Sequence, residues 1–199
     1  MGRLRQRLLG DRSTGVGVGG MMGAAQLFAL FALLIQPSMS ADSAIERLSL
    51  TLPPAPKPVG VYKPIVFAGS MAYLSGHGPL QVDKTIVTGR LGLDMDVEAG
   101  YDAARLTGLA MLATLRGSLG SLDKVRRLVK LFGLVRCTDG FTDQPAVING
   151  ASELFRDVFG EDAGVAARSA IGTNALPGGM AVEIEAIFEV DVDDSGNIA

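Results

Sequence analysis

Apolar and polar residues alternate most regularly near the C-terminus, in the segment 181–190. Its apolar positions fall on one face and its glutamates on the other: Val182, Ile184, Ala186, Phe188 and Val190 against Glu183, Glu185 and Glu189. A period of two residues is that of a β-strand with one buried face. The segment is therefore predicted to be a strand whose apolar face lies on the core.

Two longer segments follow helical periodicity instead. In the segment 97–119, apolar residues recur at spacings of three, four and seven: Val97, Tyr101, Ala104, Met111, Leu115 and Leu119. An aspartate before this segment is a candidate N-cap, and glycines mark its end. A second helix is predicted over 145–159, with Pro145 in its first turn and Gly160 just beyond its last.

Short apolar runs predict the other strands, the first two of which form a hairpin around Gly69-Ser70. These strands are the segments 65–68, 71–75, 86–91, 125–135 and 167–174. The resulting order, β-β-β-α-β-α-β-β, predicts an α+β fold in which a mixed sheet of about six strands carries two helices on one face. Arg168 and Glu183 would then lie on neighbouring strands.

Two helices cover only one face of such a sheet. Apolar residues are nevertheless available to both faces of the predicted strands, as in the adjacent pair Leu131 and Phe132. An apolar sheet face that no helix covers is usually buried against another subunit. The sequence therefore predicts an oligomer.

The first 38 residues differ from the remainder of the chain. Four arginines precede an uncharged run over 15–35, and small polar residues follow it, which is the order of a secretory signal peptide. The alternative is that Met39 is the true start and that residues 1–38 come from an upstream-extended reading frame. The protein is expected to be cytoplasmic in that case, and otherwise exported or anchored in a membrane through 15–35. The remaining divisions are a Pro-rich lead-in over 39–60, a single domain over 61–190 and a polar tail over 191–199.

Charge and composition exclude several classes of chemistry. The formal net charge is −3, and it becomes −6 without the first 38 residues. This balance argues against nucleic-acid binding, which needs a basic surface. The single cysteine, Cys137, rules out an internal disulfide, and the single histidine, His77, argues against a histidine-based zinc site. Any chemistry is therefore expected to use Arg, Glu, Asn, Ser and Tyr side chains with backbone groups.

Three C-terminal segments occur in a recognisable order: VINGASELF, AARSAIGTNALPGG and AVEIEAIFEV. Together with VGVYKPIVFAGSMAYLSGHGP, they make the chain resemble the Rid (reactive-intermediate or imine deaminase) family, also called the YjgF family, over about 55–190. The resemblance implies a chorismate-mutase-like fold and a homotrimer with ligand clefts between subunits. It also implies hydrolysis of 2-imino or enamino acids to 2-oxo acids and ammonia, with no metal or cofactor. Other members of this family are described as endoribonucleases or translation inhibitors.

The resemblance also implies roles for individual residues. Arg168 matches the arginine that holds the substrate carboxylate, a task that suits the planar fork of a guanidinium. Glu183, fifteen residues later, matches the glutamate that orients the attacking water. These two are the expected catalytic residues.

Five further residues are expected to bind the substrate. Asn149 matches an asparagine at the cleft, Tyr62 matches the tyrosine that lines it, and Ser75 with Gly76 matches a loop that contacts the ligand. Ser169 is expected to hold polar atoms of the substrate together with its neighbour Arg168.

The chain departs from the family pattern at two notable positions. Ala170 stands where the archetype has a cysteine, so no thiol nucleophile is available there, and His77 stands where a glutamine is usual. Two alternatives to imine hydrolysis stay open from the sequence. One is a non-catalytic trimer that binds a small carboxylate and regulates a partner, and the other is an endoribonuclease.

Overall fold

The computed structural model describes residues 40–192. The predictions for residues 1–38, and for most of the polar tail beyond 192, lie outside the described residues. Within 40–192, no helix is both long enough and apolar enough to cross a membrane. The account below concerns this part of the chain.

The described residues form one mixed five-stranded sheet. Its strands are β1 (Ile65–Ala68), β2 (Met71–His77), β3 (Val125–Arg136), β4 (Ala167–Thr173) and β5 (Val182–Val190). They lie in the order β1-β2-β5-β3-β4. Only β3 and β4 are parallel, and all other neighbours are antiparallel. The predicted α+β class, the mixed sheet and the β1–β2 hairpin are confirmed.

Helices precede and separate the strands. They are α1 (Ala41–Arg47), α2 (Val97–Leu119), α3 (Gln144–Phe159) and α4 (Glu161–Gly164), with 3-10 turns at Leu122–Lys124 and Pro177–Gly179. The prediction for α2 is confirmed, and a capping residue is present at each end of this helix. Asp96 caps the N-terminus by accepting from the Ala99 amide, and Gly120, at φ 82°, ends the helix in the left-handed region.

Helices α2 and α3 pack against each other and against the same face of the sheet. Gly150 of α3 permits this close crossing, since a Cβ there would lie 2.0 Å from the carbonyl oxygen of Tyr101 in α2. Phe155 of α3 meets Phe188 of β5 edge to face, with ring centroids 5.6 Å apart. The core therefore lies between the helix pair and one face of the sheet, as the alternation along β5 predicts.

The prediction of a strand over 86–91 is wrong. This segment makes only isolated bridges, each with a different partner: Leu80 with Ile86, Thr88 with Met180, and Leu91 with Cys137. Because the segment crosses from one partner to the next, no run of paired residues builds up, although Val87 and Leu91 still contact the core. Apart from the short helices α1 and α4, the element order is therefore β-β-α-β-α-β-β, and the sheet has one strand fewer than predicted.

The sheet face opposite the helices carries several exposed apolar side chains. Val66, Tyr73 and Ile171 are 47%, 44% and 46% exposed in the single chain. Charged residues of β5 and β3, including Glu185 and Lys130, share this face. The two-sided distribution of apolar residues is as predicted, and the trimer stays a prediction.

Candidate functional site

Arg168 lies near the start of the edge strand β4, paired with Leu131 of β3. Its side chain extends to the helix side of the sheet. There Nη1 donates to Asn149 Oδ1 at 2.7 Å and to Ser152 Oγ at 3.0 Å, and both acceptors belong to α3. We call Arg168, Asn149 and Ser152 the arginine group.

The arginine group forms part of the wall of a cavity of about 290 Å³. Leu128 and Leu131 supply an apolar side, while Glu153 and Glu161 bring carboxylates to the wall. Among residues 40–192, the hydrogen bonds of Arg168 use only Nη1, so Nη2 and Nε have no partner there. The cavity can accept a small molecule with an anionic group that binds the guanidinium and an apolar part beside it.

Glu183 lies at the start of β5, on the face of the sheet opposite Arg168. Its chain neighbours Val182 and Ile184 are fully buried on the helix side, so the glutamate side chain faces the other way. The carboxylate lies over Gly76 of β2, where a Cβ would come within 1.9 Å of Glu183 Oε1. Glycine at position 76 is therefore required by this placement of the carboxylate.

The environment of Glu183 makes its carboxyl group a weaker acid. Partial burial raises its pKa above the usual value for glutamate, and the negative charge of Glu185 raises it further. A carboxylate with a raised pKa accepts a proton more readily, which suits a general base.

Tyr62 and Gly76 line a second cavity, of about 150 Å³. Prolines of the lead-in and apolar residues such as Met180 form most of its wall. The Tyr62 ring is 46% exposed, and its hydroxyl accepts a long hydrogen bond of 3.4 Å from the Val59 amide. Because Gly76 contacts both Glu183 and this cavity, we call Glu183, Gly76 and Tyr62 the glutamate group.

The two predicted serines have other partners. Ser75 Oγ donates to the Lys63 carbonyl at 2.7 Å, which ties β2 to the segment before β1. Ser169 Oγ accepts from Lys130 Nζ at 3.0 Å, on the sheet face opposite the Arg168 side chain. Neither serine hydroxyl contacts the arginine group.

The expectation that Arg168 and Glu183 lie on neighbouring strands is wrong. Strand β3 lies between β4 and β5, and it pairs with both of them. The two side chains also extend from opposite faces of the sheet. The predicted residues thus fall into two separate groups within one chain, with Asn149 beside Arg168 and Gly76 beside Glu183.

Ser152 was not among the residues predicted from the sequence. The signal for it was available, because Ser152 follows Asn149 by three residues on a predicted helix, which places both on one face. Across residues 40–192, no group of three or more His, Cys, Asp or Glu side chains is arranged to hold a metal ion.

The sequence model of the YjgF/chorismate mutase-like endoribonuclease family matches residues 42–183. The chain belongs to this family. The match spans both the arginine group and the glutamate group, and the family fold agrees with the mixed sheet and paired helices described above. The family resemblance and the chorismate-mutase-like fold are therefore confirmed.

Individual relatives cover most of this YjgF-family chain. It is 40% identical to protein TCP17 of Trypanosoma cruzi over 147 residues, which are 74% of this chain and 92% of TCP17. It is 30% identical to a 2-iminobutanoate/2-iminopropanoate deaminase of Dermatophagoides farinae, over 71% of this chain and 95% of that protein. The crystal structure of Atu1372 from Agrobacterium tumefaciens, whose function is unknown, is 39% identical, with a TM-score of 0.70 over 78% of this chain and 96% of that one.

Proposed function

We propose that this protein hydrolyses 2-imino or enamino acids to 2-oxo acids and ammonia. The observation that carries the proposal is the arginine group, in which α3 fixes one guanidinium nitrogen of Arg168 at the wall of a cavity. A guanidinium held this way is preorganised to bind a carboxylate. The 30% identity to an iminobutanoate/iminopropanoate deaminase supports a substrate of the same class.

The chemistry requires an anion anchor and a positioned base. Arg168 binds the carboxylate of a substrate whose imine nitrogen is protonated, which places the adjacent imine carbon in reach of a water. Glu183 takes a proton from this water as the oxygen forms its bond to the carbon. The resulting neutral amino alcohol moves a proton from its hydroxyl to its nitrogen, and the C–N bond breaks. The product is the 2-oxo acid together with ammonia, to which Glu183 passes the proton it took from water, so that its carboxylate is restored.

The reaction needs the arginine group and the glutamate group at the same substrate, although in a single chain Arg168 and Glu183 extend from opposite faces of the sheet. We propose that they meet between the subunits of a homotrimer, where the arginine group of one subunit faces the glutamate group of the next. The exposed apolar residues Val66, Tyr73 and Ile171 supply a surface that assembly would bury. Val61, beside Tyr62, is also fully exposed in the single chain and is available for the same purpose.

The first experiment generates 2-imino acids with an amino-acid oxidase and follows 2-oxo acid release with and without this protein. Faster release with the wild type, and none above background with Arg168→Ala, is the expected result. Binding of a 2-oxo acid without any acceleration would favour a non-catalytic carboxylate-binding protein. Salt-sensitive RNA binding and cleavage would instead favour the endoribonuclease activity.

The second experiment tests the shared site by mixing two inactive variants. Arg168→Ala keeps an intact glutamate group, and Glu183→Gln keeps an intact arginine group. After subunit exchange at equal amounts, about a quarter of the interfaces in a closed ring carry two intact groups. Activity should therefore return to about a quarter of the wild-type level. No recovery, or a monomer mass by light scattering at micromolar concentration, would overturn the intersubunit site.

A further inference from the structure

The single histidine, His77, ties the end of β2 to the core of the domain. It is only 3% exposed. Its Nδ1 lies 2.6 Å from the Ser75 carbonyl oxygen, and its Nε2 lies 2.8 Å from the hydroxyl oxygen of Thr114 in α2. Since a carbonyl only accepts hydrogen bonds, Nδ1 carries the proton, and Nε2 of the neutral ring is an acceptor. The Thr114 hydroxyl also lies 3.2 Å from the Ala110 carbonyl oxygen, and its one proton is donated to the nearer acceptor, Nε2.

The backbone that His77 holds is irregular. The pairing of β2 with β5 shifts register between Leu74 and His77. A bulge of this kind redirects side chains and leaves backbone groups in need of other partners. The imidazole supplies such a partner at Ser75, within the shifted stretch.

Two members of the glutamate group depend on this stretch of backbone. Gly76 lies between Ser75 and His77, and the Glu183 carboxylate rests against it. Ser75 also donates through Oγ to the Lys63 carbonyl at 2.7 Å, and its amide donates to the Pro64 carbonyl. Lys63 follows Tyr62 directly. A chain of hydrogen bonds therefore runs from Thr114 through His77 and Ser75 toward Tyr62.

We propose that His77 is a positioning residue that, with Thr114, fixes the bulged Ser75–Gly76 backbone and so sets the position of the Glu183 carboxylate. The proposal rests on the proposed hydrolysis for its functional consequence. Burial lowers the pKa of His77, which keeps the ring neutral near pH 7 and preserves the acceptor for Thr114. A histidine that only filled space in the core would not require either hydrogen bond.

The cleanest test removes the Thr114 hydroxyl rather than the buried ring. Thr114→Val keeps the shape of the side chain but cannot donate to His77. Thr107 offers a matched control, because it is buried on the same helix and its hydroxyl contacts only the carbonyl four residues earlier, at Ala103, just as Thr114 contacts that of Ala110. His77→Gln retains one donor and one acceptor, whereas His77→Leu retains neither.

Two measurements on the full-length protein report how these substitutions change the Ser75–Gly76 backbone and the catalysis. Backbone amide shifts of Ser75 and Gly76, together with the carboxyl shift of Glu183, report the position of the bulge without any substrate. Steady-state kinetics with oxidase-generated imines separate kcat from KM. The amide shifts do not depend on catalysis, so they distinguish a failure of this proposal from a failure of the proposed hydrolysis.

For Thr114→Val and His77→Leu, the amide and carboxyl shifts should move, and kcat should fall about tenfold while KM changes less than twofold. Thr107→Val should leave both measurements unchanged, and His77→Gln should restore most of kcat. If Thr114→Val leaves the Gly76 amide and the Glu183 carboxyl shifts where they are, the positioning role is wrong. The same conclusion follows if Thr107→Val has an equal effect. If His77→Leu fails to fold, Thr114→Val and His77→Gln still decide the matter.

Discussion

The arginine group and the glutamate group fix their charged side chains in different ways. Arg168 is held directly, by two side chains of α3 that bond the same guanidinium nitrogen. Glu183 has no such side-chain partner among residues 40–192, and its carboxylate instead rests on the backbone at Gly76. Binding an anion requires a fixed cation, whereas a base benefits from a carboxylate whose oxygens stay free to accept a proton. The difference in support therefore matches the difference in proposed task.

Removing the charge of the arginine group should have the largest effect. Arg168→Ala should lower kcat/KM about 30- to 1000-fold, because a charge-assisted contact to the carboxylate is lost. Binding of a 2-oxo acid should weaken in parallel, which isothermal titration can measure. Arg126→Ala is the matched control, since Arg126 pairs with Asp191 on the surface. Equal losses in the two variants would mean that Arg168 is not the anchor.

Removing the charge of the glutamate group should separate binding from turnover. Glu183→Gln keeps the size of the side chain but loses the base, so kcat should fall about 100-fold. Affinity for a 2-oxo acid should stay within twofold, because the arginine group is intact. Glu189→Gln, on the same face of β5, is the control. Normal turnover of Glu183→Gln would show that water activation does not use this carboxylate.

The sequence predicts the elements of the fold better than it predicts their neighbours. Local periodicity and caps are enough for α2, and the alternation is enough for β5. The segment 86–91 has apolar residues but forms no strand, because Val87 and Leu91 pack on the core without pairing along a neighbouring strand. Periodicity does not report which strand lies beside which, so the insertion of β3 between β4 and β5 was not predictable from the pattern.

The same limit applies to the candidate site. Asn149 and Ser152 share a helix face, so their proximity follows from local geometry, but their contact with Arg168 depends on where α3 crosses β4. The closeness of Gly76 and Glu183 depends on the pairing of β2 with β5 and on the bulge in it. Both contacts join residues that are distant in the chain, and no short motif encodes them.

A smaller change tests whether the Arg168 contacts to α3 matter. Ser152→Ala removes one of two acceptors from Nη1, and a lost hydrogen bond to a charged group costs about 1.5 kcal/mol. We expect an increase of about tenfold in KM with little change in kcat. Ser118→Ala, on the exposed side of α2, is the control. A kcat effect without a KM effect would contradict a role in anchoring.

The corresponding change in the glutamate group is Gly76→Ala. The added methyl collides with the end of a flexible side chain, so the carboxylate should move while the fold is retained. The expected result is a decrease of severalfold in kcat with an unchanged melting temperature. Gly117→Ala is the control, because its nearest neighbour would be Ala55 at 4.0 Å. An unchanged kcat would show that the contact with Gly76 does not set the working position of Glu183.

The smallest expected effect is a shift in pH dependence. Burial and the charge of Glu185 raise the pKa of Glu183, so the acid limb of kcat should lie above the range of an ordinary glutamate. Glu185→Gln removes the second cause but not the first, and should move that limb to lower pH by a fraction of a unit while kcat at high pH is unchanged.

The raised pKa of Glu183 also makes the free energy of unfolding depend on pH. The folded protein holds the Glu183 proton at a higher pH than the unfolded chain does, so this group favours folding at low pH. Its contribution is lost as pH rises through the raised pKa. In Glu185→Gln that loss should be smaller and occur at lower pH. A carboxyl titration of Glu183 by NMR reads the shift directly, and an unmoved midpoint would show that Glu185 does not act on Glu183.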